Sequence, residues 1–599
     1  MCGFIGNVSN SRVDINALVE TNHLITCRGP DETKNLDINT KEFFGIQDIN
    51  LQLIFNRLSI IDLSPKASQP MVSKEHKTIS MFNGEIYNHR ELRKELIKDG
   101  ETFESNHSDS EVVLLGLSRY GMSYINKLNG QFAIFFIDTK KSKAFLIRDR
   151  LGQKPIFYHL LGDKLQFSSN LLSLLKINQH QTLDEKQIYN YLNLGVVPSP
   201  STLFKNYFKV KPGTFLEIDL NVNIYKSKET KYWDIEEKHS SKKFDVEEFM
   251  NLFSDSVTKR MESDVDVANF LSGGIDSTSI IKMLSEKDHP VNSFSVSYED
   301  DRYDESYWFN QVVDKYNLNH QTQKLTKDDL NGDIESAINA FDEPYADPSI
   351  VPSFTLSRLI SENYKVAISG DGGDELLGGY LRLQQLLGRK KYLHPAKYLN
   401  NIYPNFLGTG NRFLKNSSNF SEAYSSYFED INFTKLLGIN ASNRIFEELI
   451  PNTENTYKKT LIADYNLYLT EMMMLKVDRT SMANSLEVRS PFVDHDLVEY
   501  TLGTSHEYFD INNPKKILKE FLSEDFNNEF LNRKKMGFVF NLEKWVFNNI
   551  NTIKDTVHEG DIIRNLNPNI IDRLLINKSR INAQRIWKIF ILEKYLSRL

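Results

Sequence analysis

The chain has 599 residues and a mass of 69.5 kDa. Chains split into domains beyond about 250–300 residues, so two or three domains are expected. Hydrophobic residues at 40% and charged residues at 25% are ordinary globular usage and exclude disorder as the main state. A net charge of -8 and a pI near 6.0 exclude a broad basic footprint for nucleic acid or an anionic membrane. Mean hydropathy is -0.43, and apolar runs such as 132–137 fall far short of the ~20 residues that span a bilayer. Only Cys2 and Cys27 occur, so neither a disulfide framework nor a cysteine zinc cluster is available. The start MCGFIGNV has no basic segment leading into an apolar one, and the cytoplasm is the expected location.

In chain order, β-type runs occur near residues 4–8, 51–55, 78–82 and 132–137. Residues 138–142 read as a hairpin turn returning through 144–147, and Gly162-Asp163 closes a second hairpin between 156–161 and 165–168. Two amphipathic helices are expected. One spans 91–96, and the other carries Val112, Val113, Leu115 and Leu117 behind a cap at Asp109 or Ser110. Pro198, Pro200, Pro212 and Gly213 then break every period, so 201–240 reads as a connector between a first domain, 1–200, and a second, 241–599. Beyond it a helix over 247–260, a strand over 265–271, a helix over 278–284 and strands over 291–298 and 365–369 follow. Strands alternating with helices predict a parallel, doubly wound α/β sheet. Residues 384–460, rich in Asn, Tyr and Ser, read as a variable helical insertion.

Cys2 is the first chemical clue. Removal of Met1 would place a thiol and a free α-amino group on one residue, and an amine titrating near ~7.7–8.0 can take the thiol proton as an internal base. On position alone, a small buried hydrophobe is the simpler account. The segments RGPDE (28–32), RLSIIDL (57–63), FNGEIYNH (82–89), HSDSE (107–111) and GQFAIFF (130–136) change that balance. With MCGFIG they resemble, in order and spacing, the glutaminase domain of class II glutamine amidotransferases. The resemblance implies a layered αββα fold of N-terminal nucleophile type, with Cys2 as nucleophile. It also implies Arg57, with Ile60 and Ile61 in its loop, at the glutamine carboxylate, and Glu85 with Asp109 at the ammonium. Asn83 and the Gly84 N–H would form an oxyanion hole. Singly, Asn83-Gly84 is also a good turn, and Arg57 with Asp109 could be a surface salt bridge. Cys27 stands where that family carries His and is read as a buried, inert thiol.

In SGGIDS, Ser272, Gly273, Gly274, Asp276 and Ser277 form a glycine-rich passage from strand to helix, which offers N–H groups and a helix dipole to phosphate. No Walker-type lysine is present, and Asp276 would repel a polyphosphate without a divalent cation between them, so Mg2+ is implied. SGDGGDE (369–375) supplies Ser369, Gly370, Asp371 and Asp374 after another strand, and such loops converge at the carboxyl edge of a parallel sheet. SGGIDS resembles the pyrophosphate loop of ATP pyrophosphatases. KVDRTSMANSLEVRSPFVDHDLVEY (476–500) resembles the synthetase domain of glutamine-dependent asparagine synthetases. That resemblance implies ATP as substrate, Mg2+ at Asp276 and Asp374, and nucleotide contacts from the backbone of Leu271 and Val296. It also implies a charge-neutralising Lys535 in RKKMGF. Arg489 and Asp494 read as structural ion-pair partners.

The two halves then give one reaction. Cys2 forms a glutamyl thioester and releases ammonia, while the second domain adenylates a carboxylate that ammonia attacks, leaving an amide, AMP and pyrophosphate. The acceptor stays open between aspartate and another carboxylate, such as one on a surface-polysaccharide sugar. Asp371 stands where the family carries Glu, and DEPYADPS (342–349) replaces a Thr/Arg-bearing stretch. A catalytically silent homologue is the alternative of another class. Expected partners are glutamine, ATP and the acceptor, with a homodimer left open and neither nucleic acid nor membrane expected.

Overall fold

A computed structural model describes residues 2–599 other than 13, 47, 179–180, 222–223, 239–241, 300–303, 389–418, 440–445, 447–448, 454, 506–507, 511 and 534–539. The first half is built from strands β1 (Gly3–Ser9), β2 (Glu32–Asn39), β3 (Asn50–Arg57), β4 (Met71–Ser73), β5 (Thr78–Ile86), β6 (Gly130–Asp138), β7 (Lys143–Arg148), β8 (Phe157–Leu161), β9 (Lys164–Ser168), β10 (Tyr207–Lys209), β11 (Thr214–Asp219) and β12 (Lys226–Lys231). They form two six-stranded antiparallel sheets, ordered β10-β8-β9-β1-β3-β2 and β12-β11-β7-β6-β5-β4. Strand β6 shows why the sheets stack. Its Ala133, Phe135 and Ile137 share a core with Phe4, Val8, Leu51, Leu53 and Phe55 of the other sheet. The alternate Phe132, Ile134 and Phe136 pack with Leu92, Leu96, Val112 and Val113 of the helices His89–Lys98 and Asp109–Tyr120. A period of two with both faces apolar makes an inner layer. Beyond the other sheet, Ile5 and Ile54 meet Leu18 and Ile25, which completes an αββα stack.

Two expectations fail here. Residues 201–240 are not a connector, because β10 pairs with β8, and β11 pairs with β7 and β12. The prolines lie just outside these short strands, where a missing N–H costs no ladder bond. The second helix begins at Asp109 itself, with Ser108 at the cap position and no side-chain cap bond. The Asp109 carboxylate accepts instead from the Ile86 N–H at 3.1 Å.

The second half carries β13 (Val267–Phe270), β14 (Asn292–Tyr298), β15 (Asn319–Leu325), β16 (Val366–Ile368) and β17 (Glu487–Arg489). These make a parallel sheet ordered β15-β14-β13-β16-β17. The helix Ile275–Glu286 starts three residues earlier than expected, because Gly274 takes the cap position and puts Asp276 in the first turn. Within 384–460 the described residues include helices Phe420–Ser425, Ile431–Leu436 and Thr456–Ala463. No described helix is long and apolar enough to cross a membrane.

The halves meet through buried charge. Arg28 donates to both oxygens of Asp478 at 2.9 and 3.0 Å, and Lys154 lies 3.8 Å from the same carboxylate. Arg479 donates to Asp478 and to Asp342, each at 2.7 Å, and Asp342 also accepts from the Leu171 N–H at 2.9 Å. Lys209 sits 2.6 Å from Glu343. Against the burial that would raise it, the Arg28 guanidinium, helped by Lys154 and Arg479, holds the Asp478 carboxyl well below the usual range.

Removing one member of a buried ion pair costs about 3–5 kcal/mol, because its partner's charge is left uncompensated. Asp478→Asn should therefore lower the thermal unfolding midpoint far more than Lys211→Gln, which breaks an exposed pair with Glu229. A depressed folded pKa stabilises above the unfolded value of ~3.9 and is lost as pH falls through the folded one. The gap between the variant and the parent should close on acidification below about pH 4.

Candidate active sites

Cys2 immediately precedes β1, which lies between β9 and β3, and is 7% exposed. Its backbone N–H donates to Asn83 Oδ1 at 2.9 Å, while Asn83 Nδ2 is buried with no partner among the described residues. The amide of Asn83 is thus oriented with its NH2 to spare. Gly84 follows at φ +154°, where a Cβ would lie 2.8 Å from Phe132 Cα, so no side chain fits. Burial pushes the Cys2 thiol up, and Arg57 pulls it part of the way back.

Arg57 ends β3 with its fork braced by backbone carbonyls. Nη1 donates to Ser64 O at 3.0 Å, and Nη2 donates to Asp62 O. Asp264 of the second half fixes this loop: its carboxylate takes Asp62 N and lies 2.7 Å from His107 Nε2, and its N–H donates to Ile60 O at 3.0 Å. The side chains of Ile60 and Ile61 are buried in the apolar cluster of the second half, so only their backbone can serve a ligand. Across the site, Glu85 Oε2 accepts from Arg489 Nη2 at 3.0 Å, and Glu85 Oε1 is buried without a partner among the described residues. Burial and the neighbouring Asp109 push the Glu85 carboxyl well up, with Arg489 opposing. Arg57 and Asp109 are both buried and bond elsewhere, which excludes a surface salt bridge between them. A fork of donors, two acids, an amide NH2 and a thiol suit a zwitterionic amino acid whose side-chain amide is attacked. Cys27, expected to be buried, is exposed: in the turn Thr26–Arg28, Arg28 takes the inward position instead.

In the second half, β13 and β16 are neighbours, and their loops lie side by side at the carboxyl edge. Glycine makes this contact close. A Cβ on Gly373 would lie 2.7 Å from the Asp276 carboxylate, and one on Gly370 would lie 3.1 Å from Ser277 N. In the turn itself, Gly274 N donates to Ser272 Oγ at 3.2 Å, and the Ser272 and Ser277 hydroxyls are 3.2 Å apart. Gly273, at φ +68°, sits against the backbone of Trp308 and Phe309. Asp276 and Asp374 both grip Lys515 Nζ, 2.6 Å from the latter. No motif announces Lys515. Its left-handed backbone, φ +58°, places it just before the helix Lys516–Leu522. Burial would lower the Lys515 ammonium, but the two carboxylates hold it up. Two carboxylates converging on one cation form the hard-oxygen donor set that suits Mg2+.

Asp371 accepts from Ser369 Oγ at 2.8 Å, and its carbonyl accepts from the Ser490 hydroxyl. Of the two residues whose backbone is expected at the nucleotide, Leu271 donates its N–H to Phe294 O at 2.9 Å and continues the β13–β14 ladder, and Val296 lies within β14, paired to Gln323. Lys535 falls outside the described residues, while Arg533 lies beside the turn, 3.6 Å from the position a Gly274 Cβ would take. Asp342 and Glu343 of the 342–349 stretch serve the domain interface, and burial pushes the Glu343 carboxyl up to about 7 despite Lys209. Arg489 and Asp494 are not partners of one another. Asp494 pairs with Arg260 at 2.9 Å, and Arg489 pairs with Glu487 at 2.7 Å and with Glu85.

Comparison with known proteins follows the same division. Residues 1–233 match the family model described as a glutamine amidotransferase domain, and residues 248–597 match the one described as asparagine synthase. The chain is 28% identical to asparagine synthetase [glutamine-hydrolyzing] 1 of Bacillus subtilis (strain 168), over 99% of this chain and 96% of that one. It is 28% identical to asparagine synthetase [glutamine-hydrolyzing] 3 of the same organism, over 90% and 87%. It is 32% identical to putative asparagine synthetase [glutamine-hydrolyzing] 2 of Methanocaldococcus jannaschii, over 64% of this chain and 76% of that one. With the synthase model matched over more than half its length behind an amidotransferase domain, the chain belongs to the asparagine synthase family, whose enzymes are glutamine-hydrolysing amidotransferase ligases.

Proposed function

We propose that the chain moves the amide nitrogen of glutamine onto a carboxylate activated by ATP, with aspartate as the first acceptor and glutamate, AMP and pyrophosphate as the other products. The observation that supports the reading is the buried Asn83 Nδ2, whose amide is oriented by the Cys2 backbone and which has no partner among the described residues. Arg57 receives the glutamine carboxylate, and Glu85 with Asp109 receives the ammonium. With Met1 removed, the Cys2 amine takes the thiol proton and sulfur attacks the side-chain amide, while Asn83 Nδ2 and the Gly84 N–H stabilise the oxyanion. Ammonia leaves, and water hydrolyses the thioester.

At the second site the acceptor carboxylate attacks the α-phosphorus of ATP and pyrophosphate departs. Asp276 and Asp374 would hold Mg2+, which supplies neutralising charge at the phosphates. Lys515 and, by resemblance, Lys535 add positive charge there, and the 272–277 turn cradles the phosphates. Ammonia then attacks the acyl carbon and AMP leaves. In bulk water at neutral pH ammonia would be mostly protonated and no longer a nucleophile, so the proposal includes a path between the two sites that is shielded from solvent. A second reading, another carboxylate as acceptor, is favoured by Asp371: it is a methylene shorter than Glu and its carboxylate is turned to Ser369.

Cys2→Ala should abolish glutamine hydrolysis while ammonium-supported synthesis persists, and Asn83→Ala should lower kcat for glutamine by about 10²–10³. Full activity of a protein that mass spectrometry shows to retain Met1 would contradict the nucleophile. A screen of carboxylates with glutamine and ATP should give asparagine from aspartate with one AMP and one pyrophosphate per amide, and Asp276→Asn should lose pyrophosphate release but keep glutamine hydrolysis. ADP and phosphate as products would refute the acyl-adenylate, and a better acceptor than aspartate would select the second reading.

A further inference from the structure

Given glutamine in the first site as proposed above, we propose that Arg489, contributed by the synthetase half, is a positioning residue for glutamine hydrolysis: its guanidinium holds Glu85 as the anion that receives the substrate's ammonium group. Arg489 sits on β17, with its side chain fully buried. Every arm of its fork is assigned. Nε donates to Glu487 at 2.7 Å, Nη1 donates to the carbonyls of Arg260 and Glu262 at 2.9 and 2.6 Å, and Nη2 donates to Glu85 Oε2 at 3.0 Å. The first three bonds fix the plane of the guanidinium inside its own domain. The fourth crosses the boundary. The Tyr87 ring, two residues after Glu85, lies under the Arg489 and Arg260 guanidinium groups at 5.6 and 4.7 Å, which further restricts both.

Glu85 has no other side-chain partner among the described residues, so Arg489 alone sets the orientation that leaves Oε1 bare. Charge points the same way. Among the described residues, Glu85 faces Asp109 from the helix Asp109–Tyr120, and Glu487 and Arg489 from β17. Burial and the two acids favour the protonated carboxyl, which cannot accept from an ammonium at both oxygens; the guanidinium opposes them. A lysine at this position could supply charge but not four directed bonds in one plane. The backbone of the same residue accepts from Ser369 N at 2.9 Å, so the strand that delivers Arg489 to the first site also borders the loop of the second.

The test uses the full-length enzyme and the variants Arg489→Gln, Arg489→Lys, Glu85→Gln and the double variant Glu85→Gln/Arg489→Gln. Glutamine hydrolysis is followed against pH, alongside ammonium-supported synthesis. Loss of a charged hydrogen bond predicts a KM for glutamine about 10- to 100-fold higher in Arg489→Gln, with a smaller change in kcat. The acidic limb of kcat/KM should move to higher pH, since a carboxyl deprived of its cation ionises later. Arg489→Lys should recover part of both, and the double variant should be no worse than Glu85→Gln. An unchanged KM, an equal loss of both activities without rescue by lysine, or additive effects in the double variant would overturn the proposal. If Arg489→Gln fails to fold, Arg489→Lys decides, through a KM between those of the parent and Glu85→Gln or one equal to the parent's. A Glu85→Gln enzyme with the parent's KM would show instead that the glutamine assignment itself is wrong.

Discussion

The seam of buried charge between the halves is the constraint on which both sites depend. Asp478 is gripped by Arg28 from one side and Arg479 from the other, Arg479 reaches on to Asp342, and Arg28 Nε also donates to Cys2 O at 3.2 Å. The chain of contacts therefore runs from the backbone of Cys2 into the synthetase half. Buried ion pairs add little net stability over apolar residues of similar shape, but they are unforgiving of misalignment. The seam is accordingly better suited to fixing the register of the halves than to raising stability. Register matters because neither end of the proposed glutamine site is self-contained. Asp264 pins the loop that braces Arg57, Arg489 pins Glu85, and Ile60 and Ile61 are part of the other half's core.

A different economy governs the second site. Asp276 and Asp374 are brought together by glycines that admit no side chain, and like charges so close would repel. Lys515 sits between them as a resident counter-charge. Under the proposed function, carboxylates already held in place around a cation would suit a metal that accompanies polyphosphate.

Local patterns made much of this legible in the sequence. The unbroken apolar run of β6 suits a strand buried on both faces, SGGIDS declares a strand-to-helix turn, and the motifs that hold Cys2, Arg57, Asn83, Glu85 and Asp109 mark five residues that the structure buries. What stayed hidden depends on long-range packing. Arg28 and Asp478 are 450 residues apart, and nothing in either neighbourhood names the other. Lys515 lies among ordinary lysines, and only its left-handed backbone and the two acids distinguish it. Prolines beside β10 and β11 imitate a linker because a three-residue edge strand carries too few residues to show a period. Cys27 looked like a core thiol because size and polarity cannot say which side of a tight turn faces inward.

The central claim is that nitrogen passes from the Cys2 site to the acyl-adenylate within one closed molecule. Glutamine labelled with 15N in its side-chain amide, supplied with ATP, aspartate or the acceptor a screen selects, and an equal concentration of unlabelled ammonium, tests it most directly. The account predicts a product amide that carries the label nearly undiluted. A label fraction equal to that of the free ammonium pool would show that nitrogen escapes to solvent between the two sites and would contradict it.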